Sequence, residues 1–308
     1  MMSDYAVVIA ARMLSTRLPN KALVSYSSDG TPNLAQIIDR WRRHSRRQPT
    51  VIVTTTTDKD DDPIESIAQG CGVPCSRGHP TDVVAQMDVA LQRYAPGARW
   101  IARGLADNPL VDVPLADWRM DVLAETGADG VWYGLDHERI TYCGTTDVWS
   151  RSAWDTVVAE STGDEREHPG LFYWRRLSRF QVVQLPLPMR EYLQPIRTEL
   201  DTQDDLKLFR EVWSAWHSLL NLYDFRPVDT LWALSYLMNH PEVVAINAEM
   251  TAKTQTHPHW PKGMGWLCDS CRGRLGSVVA GDLEIRCSHC GKARKFYSHK
   301  PKPSTLRY

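Results

Sequence analysis

The chain has 308 residues, of which 43% are hydrophobic and 24% are charged, and its 36 basic side chains nearly balance 37 acidic ones for a net charge of −1. This composition is typical of an ordinary soluble globular protein and excludes a mainly disordered or fibrous chain. The neutral balance excludes a global positive field that would steer the whole molecule to nucleic acid. At about 150 residues per domain, the length predicts two units or one large domain with an appendage.

The first half of the chain alternates short β-branched runs with segments of helical period. The predicted strands are Ala6–Ala10, Val51–Thr54, Val73–Ser76, Trp100–Arg103 and Gly130–Tyr133, and the predicted helices lie at about 33–44, 62–69, 81–94 and 114–125. This order predicts an α/β fold with right-handed crossovers and a mostly parallel sheet covered on both faces. Ligands of such sheets bind beyond the carboxyl ends of the strands, so chemistry is expected in the loops that follow them.

The loop after the first strand is basic. It reads Ala11-Arg12-Met13-Leu14-Ser15-Thr16-Arg17-Leu18-Pro19-Asn20-Lys21 and presents two arginines, a lysine and two hydroxyls. Guanidinium groups bind phosphate oxygens bidentately and lysine adds a point charge, so the loop can cradle a triphosphate. It contains neither a Walker motif nor a dinucleotide fingerprint. A solvated basic loop without a ligand is the alternative.

Helical spacing returns after a turn-rich middle segment, 134–203. One predicted helix carries an apolar face, and a second is predicted over 228–239. The face consists of Leu206, Phe209, Trp213, Trp216 and Leu220. Because these residues follow helical periodicity, we interpret them as core and not as a ligand site.

The C-terminal part reads as a separate module, 265–308, after a proline-containing linker, 254–264. Two CxxC pairs separated by fifteen residues have the spacing of a structural Zn²⁺ site, whose ligands would be Cys268, Cys271, Cys287 and Cys290. A module this small needs metal for its folding free energy. Ser277–Ala280 and Leu283–Arg286 are predicted to pair as a hairpin, and Cys71, Cys75 and Cys143 are predicted to be buried thiols.

The charge of this module differs from that of the rest of the chain. Nine basic side chains make it positive: Arg272, Arg274, Arg286, Lys292, Arg294, Lys295, Lys300, Lys302 and Arg307. This asymmetry is consistent with a nucleic acid or a protein as its partner, and a solvated docking domain is the alternative. No run approaches the roughly 18 apolar residues of a membrane span, and no secretory signal is evident, so we expect a cytoplasmic protein without a membrane partner.

Seven ordered motifs resemble those of the SpsF-like cytidylyltransferases, relatives of the enzymes that make CMP-sialic acids and CMP-KDO. The resemblance covers most of residues 5–250. The motifs are ARMLSTRLPNK at 11–21 with its preceding alanine, GTPNL at 30–34, Thr54 with DDPI at 61–64, RG at 77–78 with TDVV at 81–84, ARGLADNPL at 102–110, REH at 166–168, and ELDTQDDL at 199–206.

The resemblance implies a nucleotidyltransferase sandwich of the GT-A type over residues 1–253, with CTP as nucleotidyl donor, a sugar acid or sugar phosphate as acceptor, and pyrophosphate as by-product. It carries Mg²⁺ ligation onto Asp107 and Asp201. From the residues alone, each of these aspartates could instead cap a turn or a helix. Asp204 and Asp205 are expected in the first turn of the following helix, where negative charge is favourable.

The remaining site residues follow from the same resemblance. Arg12, Arg17 and Lys21 would hold the phosphates and offset the charge on pyrophosphate as it leaves. With them, the predicted nucleotide-binding set is Ala11, Ser15, Thr16, Thr54, Asp82 and Arg103. For Asp82 and Arg103 the predicted contact is with the base, the ribose or the acceptor. His168 is predicted to contact the acceptor, or else to make a hydrogen bond at a helix start.

Three positions depart from the family pattern. Leu14 and Asn20 stand where relatives have glycine, and Gln86 where many keep arginine. Either the backbone at Leu14 needs no positive φ or the basic loop is altered, while asparagine tolerates left-handed geometry. A catalytically degenerate relative, binding nucleic acid or protein through the zinc module, is the second hypothesis. Pairing into a homodimer, as in related synthetases, is left open by the sequence.

Overall fold

A computed structural model describes residues 3–133, 146–185, 196–219, 227–249, 283–286 and 293–296. Seven strands form the main sheet in the order β3-β2-β1-β4-β6-β5-β7. They are β1 (Tyr5–Ala10), β2 (Thr50–Thr56), β3 (Cys75–Gly78), β4 (Trp100–Leu105), β5 (Gly130–Tyr133), β6 (Val148–Ser150) and β7 (Val182–Leu185). Within this sheet β6 runs against its two neighbours and the other pairs are parallel, so the predicted mostly parallel sheet is confirmed.

Ten α-helices accompany the described strands: α1 (Asn33–His44), α2 (Asp62–Gly70), α3 (Val83–Tyr94), α4 (Val113–Thr126), α5 (Arg151–Glu160), α6 (Asp164–Glu167), α7 (Pro169–Arg175), α8 (Gln203–Leu219), α9 (Thr230–Asn239) and α10 (Pro241–Val244). Short 3₁₀ turns cover Lys59–Asp61, Leu177–Arg179 and Ala245–Asn247. Aspartate side chains cap three of the described α-helices: Asp82 accepts from the Ala85 amide (2.8 Å), Asp112 from the Leu115 amide (2.7 Å) and Asp229 from the Trp232 amide (2.8 Å).

The third strand is the predicted element that shifts most. Sequence predicts Val73–Ser76, whereas β3 pairs with β2 from Cys75 to Gly78. Pro74 has no amide hydrogen to donate, and only its carbonyl joins the ladder, accepting from the Val53 amide at 2.9 Å. The ladder therefore begins after the proline.

Helices cover the sheet on both faces, which gives three layers. On one face Ile37, Trp41 and Met120 of α1 and α4 are fully buried against β1 and β2. On the other face Met87 and Trp154, from α3 and α5, are fully buried against β1 and β4. Strands buried on both sides read as continuous apolar runs, as β1 does with the sequence YAVVIA.

A third apolar cluster joins α8 and α9 to the loop that follows β1. Phe209 and Trp213 are buried there with Leu18 and Tyr26, and the Trp213 indole donates to the Gln36 amide oxygen (3.0 Å). Leu206 is also buried, Trp216 packs partly buried at the margin, and Leu220 lies outside the described residues. The aromatic face of α8 is thus core, as predicted, and it fixes the loop beside the site.

Near the C-terminus the structure describes one antiparallel pair, β8 (Leu283–Arg286) with β9 (Ala293–Phe296). Leu283–Arg286 is a strand as predicted, but its described partner is Ala293–Phe296, whereas Ser277–Ala280 lies outside the described residues. Cys71 and Cys75 are free thiols that are only half-buried, and Cys143 lies outside the described part. Among the helices that the structure describes, none is long and apolar enough to cross a membrane.

Candidate active site

The basic loop (residues 11–21) is held to the sheet by its backbone. The Ala11 amide donates to the Thr54 carbonyl at 3.0 Å, and the Met13 amide donates to the buried Asp61 carboxylate at 2.7 Å. Asp61 also accepts from the Thr56 hydroxyl and, at 3.2 Å, from the Thr56 amide. Burial alone would raise the pKa of Asp61, but these donors keep it below its usual value. Asp61 therefore holds the start of the basic loop in place through its hydrogen bond to the Met13 amide.

The two glycine replacements behave differently. Asn20 adopts φ +59°, in the left-handed region that asparagine tolerates, and its amide donates to the Met13 carbonyl at 3.3 Å. Leu14 is not among the described residues with positive φ, and its side chain is 67% exposed. The first of the two alternatives for Leu14 therefore holds, because the backbone there needs no positive φ.

Asp107 and Asp201, nearly a hundred residues apart in sequence, come together at the carboxyl end of β4. The Leu200 amide donates to the Asp107 carbonyl at 2.8 Å, which joins the two segments. The Lys21 ammonium lies between the carboxylates, 2.7 Å from Asp201 Oδ1 and 3.2 Å from Asp107 Oδ2. This contact brings Asp107 and Asp201 together with Lys21, the last residue of the basic loop.

Neither the Asp107 nor the Asp201 side chain caps a turn or a helix, the alternative role that the sequence left open. The Asp107 carboxylate faces Lys21, and α4 is capped by Asp112 instead. At the start of α8 it is the Asp205 carboxylate that accepts from the backbone amides of Asp201 (2.9 Å) and Thr202 (2.8 Å). Asp205 and Asp204 lie in the first turn of α8, as predicted.

Three cations surround the Asp201 carboxylate. Besides Lys21, the exposed Arg17 guanidinium lies 3.0 Å from Oδ2, and the buried Arg197 guanidinium donates to the same oxygen at 2.7 Å. Burial alone would raise the pKa of Asp201, but Lys21, Arg17 and Arg197 lower it below the usual value. Burial likewise opposes the charge of Lys21, yet Asp107 and Asp201 raise its pKa. Both partners are therefore held in their charged forms.

The pair of carboxylates has the donor set of a divalent cation site. Mg²⁺ is usually bound through one or two carboxylates together with substrate phosphates, and here two carboxylates with Oδ atoms already hold one cation, the Lys21 ammonium, between them. The described residues contain no group of three or more His, Cys, Asp or Glu placed around one metal position. Asp107 and Asp201 thus fit a Mg²⁺ ion that takes its other ligands from nucleotide and water.

A buried network behind Asp201 was missed by sequence reasoning. Arg197, 2% exposed, donates to Glu199 and Asp201 and lies 3.5 Å from Asp205. Asn247 donates to the Asp205 carboxylate at 2.9 Å. These residues fix the orientation of Asp201. In the sequence, the family resemblance extends to Glu199 and Asp205 in the ELDTQDDL segment and to Asn247 after Pro241-Glu242-Val243, but it gives none of them such a role.

Glu199 adds a third carboxylate beside the site. Burial raises its pKa to about 6, the charge of Arg197 opposes this shift, and the negative charges of Asp107 and Asp201 add to it. Burial counts against the charge of Arg197, but its three acidic neighbours raise its pKa. Glu199 is therefore the carboxyl group of this network that takes up a proton most readily.

The segment predicted from the REH motif lies beside Arg12 and Arg103. Arg12, exposed, lies 3.4 Å from Glu167, and Arg103 lies close enough to His168 for its charge to act on the ring. Burial lowers the pKa of His168, and the charge of Arg103 lowers it further. His168 also precedes α7, where its side chain makes no capping hydrogen bond. Its predicted contact with the acceptor stays a prediction.

Two predicted nucleotide contacts are already engaged. Asp82 caps α3 and forms an ion pair with Arg166 at 2.7 Å. Thr54 is fully buried, and its hydroxyl donates to the Ser76 carbonyl at 3.2 Å and lies 3.4 Å from the Gln86 amide oxygen. In this arrangement the Thr54 hydroxyl is not available to a nucleotide. Gln86, the third departure from the family pattern, is buried beside Thr54 and donates to the His79 carbonyl.

The structure therefore brings together Arg17, Lys21, Asp107 and Asp201, and it brings Arg12 and Arg103 near Glu167 and His168. The other predicted loop residues line the same region: Ala11 is buried, Ser15 is half-buried with its hydroxyl 3.4 Å from the Leu18 amide, and Thr16 is exposed. The predicted zinc ligands Cys268, Cys271, Cys287 and Cys290 lie outside the described residues.

Comparison with known proteins gives a consistent picture. Residues 6–212 match the protein family described as Cytidylyltransferase. The spore coat polysaccharide biosynthesis protein SpsF of Bacillus subtilis is 24% identical over 216 residues, which are 69% of this chain and 87% of SpsF. The sequence resemblance to cytidylyltransferases is thereby confirmed.

Solved structures share the fold. A cytidylyltransferase from Leptospira borgpetersenii serovar Hardjo-bovis superposes with a TM-score of 0.68 at 22% identity, covering 79% of this chain and 97% of its own. CMP:2-keto-3-deoxy-manno-octonic acid synthetase, solved with CTP, gives a TM-score of 0.52 at 13% identity, covering 69% and 99%. At such identities the likeness shows a common α/β fold.

Proposed function

The chain belongs to the cytidylyltransferase family and is a nucleotidyltransferase, and from that premise we propose that it transfers CMP from CTP to a sugar acid or sugar phosphate, with Mg²⁺, and releases pyrophosphate. The observation that carries the proposal is the convergence of Lys21 with Asp107 and Asp201 at the end of the basic loop, at 2.7 and 3.2 Å. The acceptor class is supported by the family resemblance and by the polysaccharide role in the name of the Bacillus subtilis relative.

Asp107 and Asp201 would hold the metal, whose chemistry when bound is to offset negative charge on the α-phosphate and on the departing pyrophosphate. Arg197 supports this assignment because it is buried and fixes Asp201 from behind at 2.7 Å. Asp205 fixes the same residue through its backbone. A ligand held by a buried network keeps its geometry without further ordering when substrate arrives.

Arg17 and Lys21 would bind the triphosphate. In the free protein both side chains form ion pairs with the Asp201 carboxylate. A divalent cation bound by that carboxylate would replace them, and both would then be available to phosphate oxygens. Arg17 is more than half exposed, so its guanidinium can turn toward a ligand at little cost. The Arg12 side chain is also more than half exposed and pairs with Glu167, so it could turn to a phosphate in the same way.

No protein nucleophile is needed for this reaction. An oxygen of the acceptor would attack the α-phosphorus in line with the leaving pyrophosphate, and catalysis would rest on positioning and charge. Ser15 and Thr16 would offer hydroxyls for phosphate contacts, and His168 would contact the acceptor.

The degenerate-relative hypothesis is less well supported. A site that had lost catalysis should have lost charges, yet Arg17, Lys21, Asp107 and Asp201 are present and in mutual contact. The buried support of Asp201 is also intact. We therefore favour an active enzyme.

For the C-terminal part we propose a module of residues 265–308, joined by the linker 254–264 to a catalytic domain of residues 1–253. Cys268, Cys271, Cys287 and Cys290 would bind one structural Zn²⁺. The support is the double CxxC spacing and the β8–β9 pair, whose six-residue connection, 287–292, contains the second pair of cysteines. The basic residues Arg286, Arg294 and Lys295 on these two strands favour a nucleic acid or an acidic protein as partner.

Pyrophosphate release tests the catalytic proposal. With CTP, Mg²⁺ and a panel of sugar acids and sugar phosphates, Asp201→Asn should lower kcat at least tenfold because it removes a metal ligand, whereas Arg17→Ala should mainly raise KM for CTP. Asp60→Asn, an exposed substitution beside β2, is the matched control and should change neither. Wild-type turnover by Asp201→Asn would contradict the metal assignment.

A further inference from the structure

Arg103, near the end of β4, is a largely buried cation with few partners among the described residues. Its side chain is 16% exposed, and the ion pair that it forms within this part of the chain is a 4.0 Å approach of Nη1 to Asp147 Oδ2, too long for a hydrogen bond. Its Nε is buried and has no hydrogen-bond partner. A guanidinium carries five N–H donors, and leaving them unpaired in the interior is costly.

Two other buried arginines are hydrogen-bonded through their Nη groups. Arg40 donates to the Thr230 hydroxyl at 3.1 Å and also to the Val228 carbonyl. Arg197 donates to Glu199 and Asp201, although its Nε, like that of Arg103, has no hydrogen-bond partner. Arg103 differs from both because, within the described part of the chain, Asp147 approaches its Nη1 only to 4.0 Å and no acceptor forms a hydrogen bond with its guanidinium.

Asp147 does not serve as the missing counter-ion. Burial lowers the pKa of Arg103 in spite of the charges of Asp147, Asp107 and Glu167, and burial raises the pKa of Asp147 in spite of Arg103. Both directions are those of buried charges that are not fully compensated by pairing. An anion within contact distance of the guanidinium would supply that compensation.

The position of Arg103 identifies which substrate could bring the anion. Alternate residues of a strand share a face, and Ile101, two residues earlier, packs with α3 and α5, whereas Ala102 packs on the face that also contains Ala11 and Met13 of the basic loop. Arg103 therefore lies on the face covered by α3 and α5, beside His168 and within reach of the charges of Glu167 and Asp107. His168 is the residue predicted to contact the acceptor, so on that prediction the acceptor is the substrate nearest to Arg103.

We propose that Arg103 is the receptor for an anionic group of the acceptor, and so selects acidic acceptors over neutral ones. This inference rests on the proposed function and assigns Arg103 to the acceptor instead of the nucleotide. Because the guanidinium is mostly shielded from water, an acceptor that lacks the charge would leave it unpaired and be rejected strongly. The group would be a carboxylate or a phosphate, since both match the guanidinium fork.

The test uses the full chain labelled with ¹⁵N-arginine and loaded with CMP and Mg²⁺. The Arg103 Nε–H resonance, assigned by its absence in Arg103→Met, is followed while sodium acetate or inorganic phosphate is added. We expect a saturable shift, with acetate alone indicating a carboxylate acceptor and phosphate alone a phosphorylated one. The Arg99 resonance, at the other end of β4 and exposed, is the internal control and should not move.

Substitution provides the second arm. Arg103→Met should leave CTP affinity within about twofold of the parent and abolish the preference for a sugar acid over its methyl ester. The double variant Arg103→Met, Asp147→Asn removes both buried charges, and it replaces the single variant in this test if the single variant does not fold. The proposal is overturned if neither anion shifts the Arg103 resonance. It is also overturned if a folded Arg103 variant loses CTP affinity tenfold, because Arg103 would then contact the nucleotide. If the parent binds no CTP, the proposed function fails, while the anion titration still decides the role of Arg103.

Discussion

At the scale of single residues, Lys21 is the most informative side chain. Its ammonium lies between Asp107 and Asp201, where a divalent cation would bind. On the proposed metal assignment, Lys21 and the metal would compete for the same oxygens in the free protein. This competition implies that metal binds well only together with the triphosphate, which gives Lys21 another anion to contact.

Lys21→Met should consequently raise the affinity of the free protein for Mn²⁺, by about tenfold, while lowering turnover. The reason is that the variant removes a competing cation from two ionised carboxylates but also removes a phosphate ligand. Mn²⁺ binding measured by electron paramagnetic resonance, with and without CTP, checks this, and exposed Lys59→Met is the control. Equal Mn²⁺ affinity in parent and Lys21→Met would contradict competition at this site.

Glu199 makes a prediction about pH. Its folded pKa, about 6, lies above the usual glutamate value, so the folded state binds the proton more tightly than the unfolded state does. Ionisation of Glu199 therefore costs stability as pH rises from about 4.3 to about 6, and the cost persists above pH 6.

Glu199→Gln should remove that cost and raise the free energy of unfolding at pH 7 by about 1 kcal/mol, after allowance for the partial exposure of the side chain. At pH 4 the difference from the parent should vanish. Urea unfolding at the two pH values measures it, with exposed Glu211→Gln as control. A variant less stable than the parent at pH 7 would show that the Arg197 ion pair outweighs the burial of charge.

At the scale of elements, the basic loop owes its shape to one left-handed residue and one buried carboxylate. Asn20 at φ +59° permits the turn back toward Lys21, and Asp61 holds the Met13 amide at 2.7 Å. Asn20→Gly should be neutral or slightly stabilising, whereas Asn20→Ala should cost about 1 kcal/mol because a Cβ disfavours this φ. Thermal unfolding compares the two, and equal melting temperatures would mean that the turn is not strained by Cβ.

The elements themselves follow from sequence because their signals are local. Runs such as YAVVIA are long enough to fix β1, and periodicity fixes α1, α3 and α8, with the shift of β3 explained by Pro74. The network around Asp201 does not follow, because Arg197 and Glu199 lie in a segment without regular structure and Asn247 joins from a 3₁₀ turn more than forty residues on. The family motifs predicted Asp107 and Asp201 as site residues. The contact of Lys21 with both carboxylates and the incomplete pairing of Arg103 became visible only in the structure.

At the scale of the whole molecule, we propose a nucleotidyltransferase domain followed by a zinc module. The family match ends at residue 212, well before the cysteine pairs. The double substitution Cys268→Ser, Cys271→Ser in the full chain should abolish zinc binding while CTP binding persists, since the predicted metal lies outside the domain that holds the nucleotide. Elemental analysis and calorimetry check the two halves, with Cys71→Ser as control. A zinc equivalent retained by the double variant would refute the ligand assignment.

The central claim, that the basic loop and the Asp107–Asp201 pair form a site for CTP with a divalent cation, is tested most directly by ligand-induced thermal stabilisation. The melting temperature of the full chain is measured with each of CTP, UTP, ATP and GTP, in Mg²⁺ and in EDTA. A ligand that binds only the folded state raises this temperature in proportion to its affinity. We expect CTP with Mg²⁺ to raise the melting temperature more than the other three nucleotides do, and we expect Asp201→Asn to abolish this increase. Equal increases with all four nucleotides, or no increase with any, would contradict the central claim.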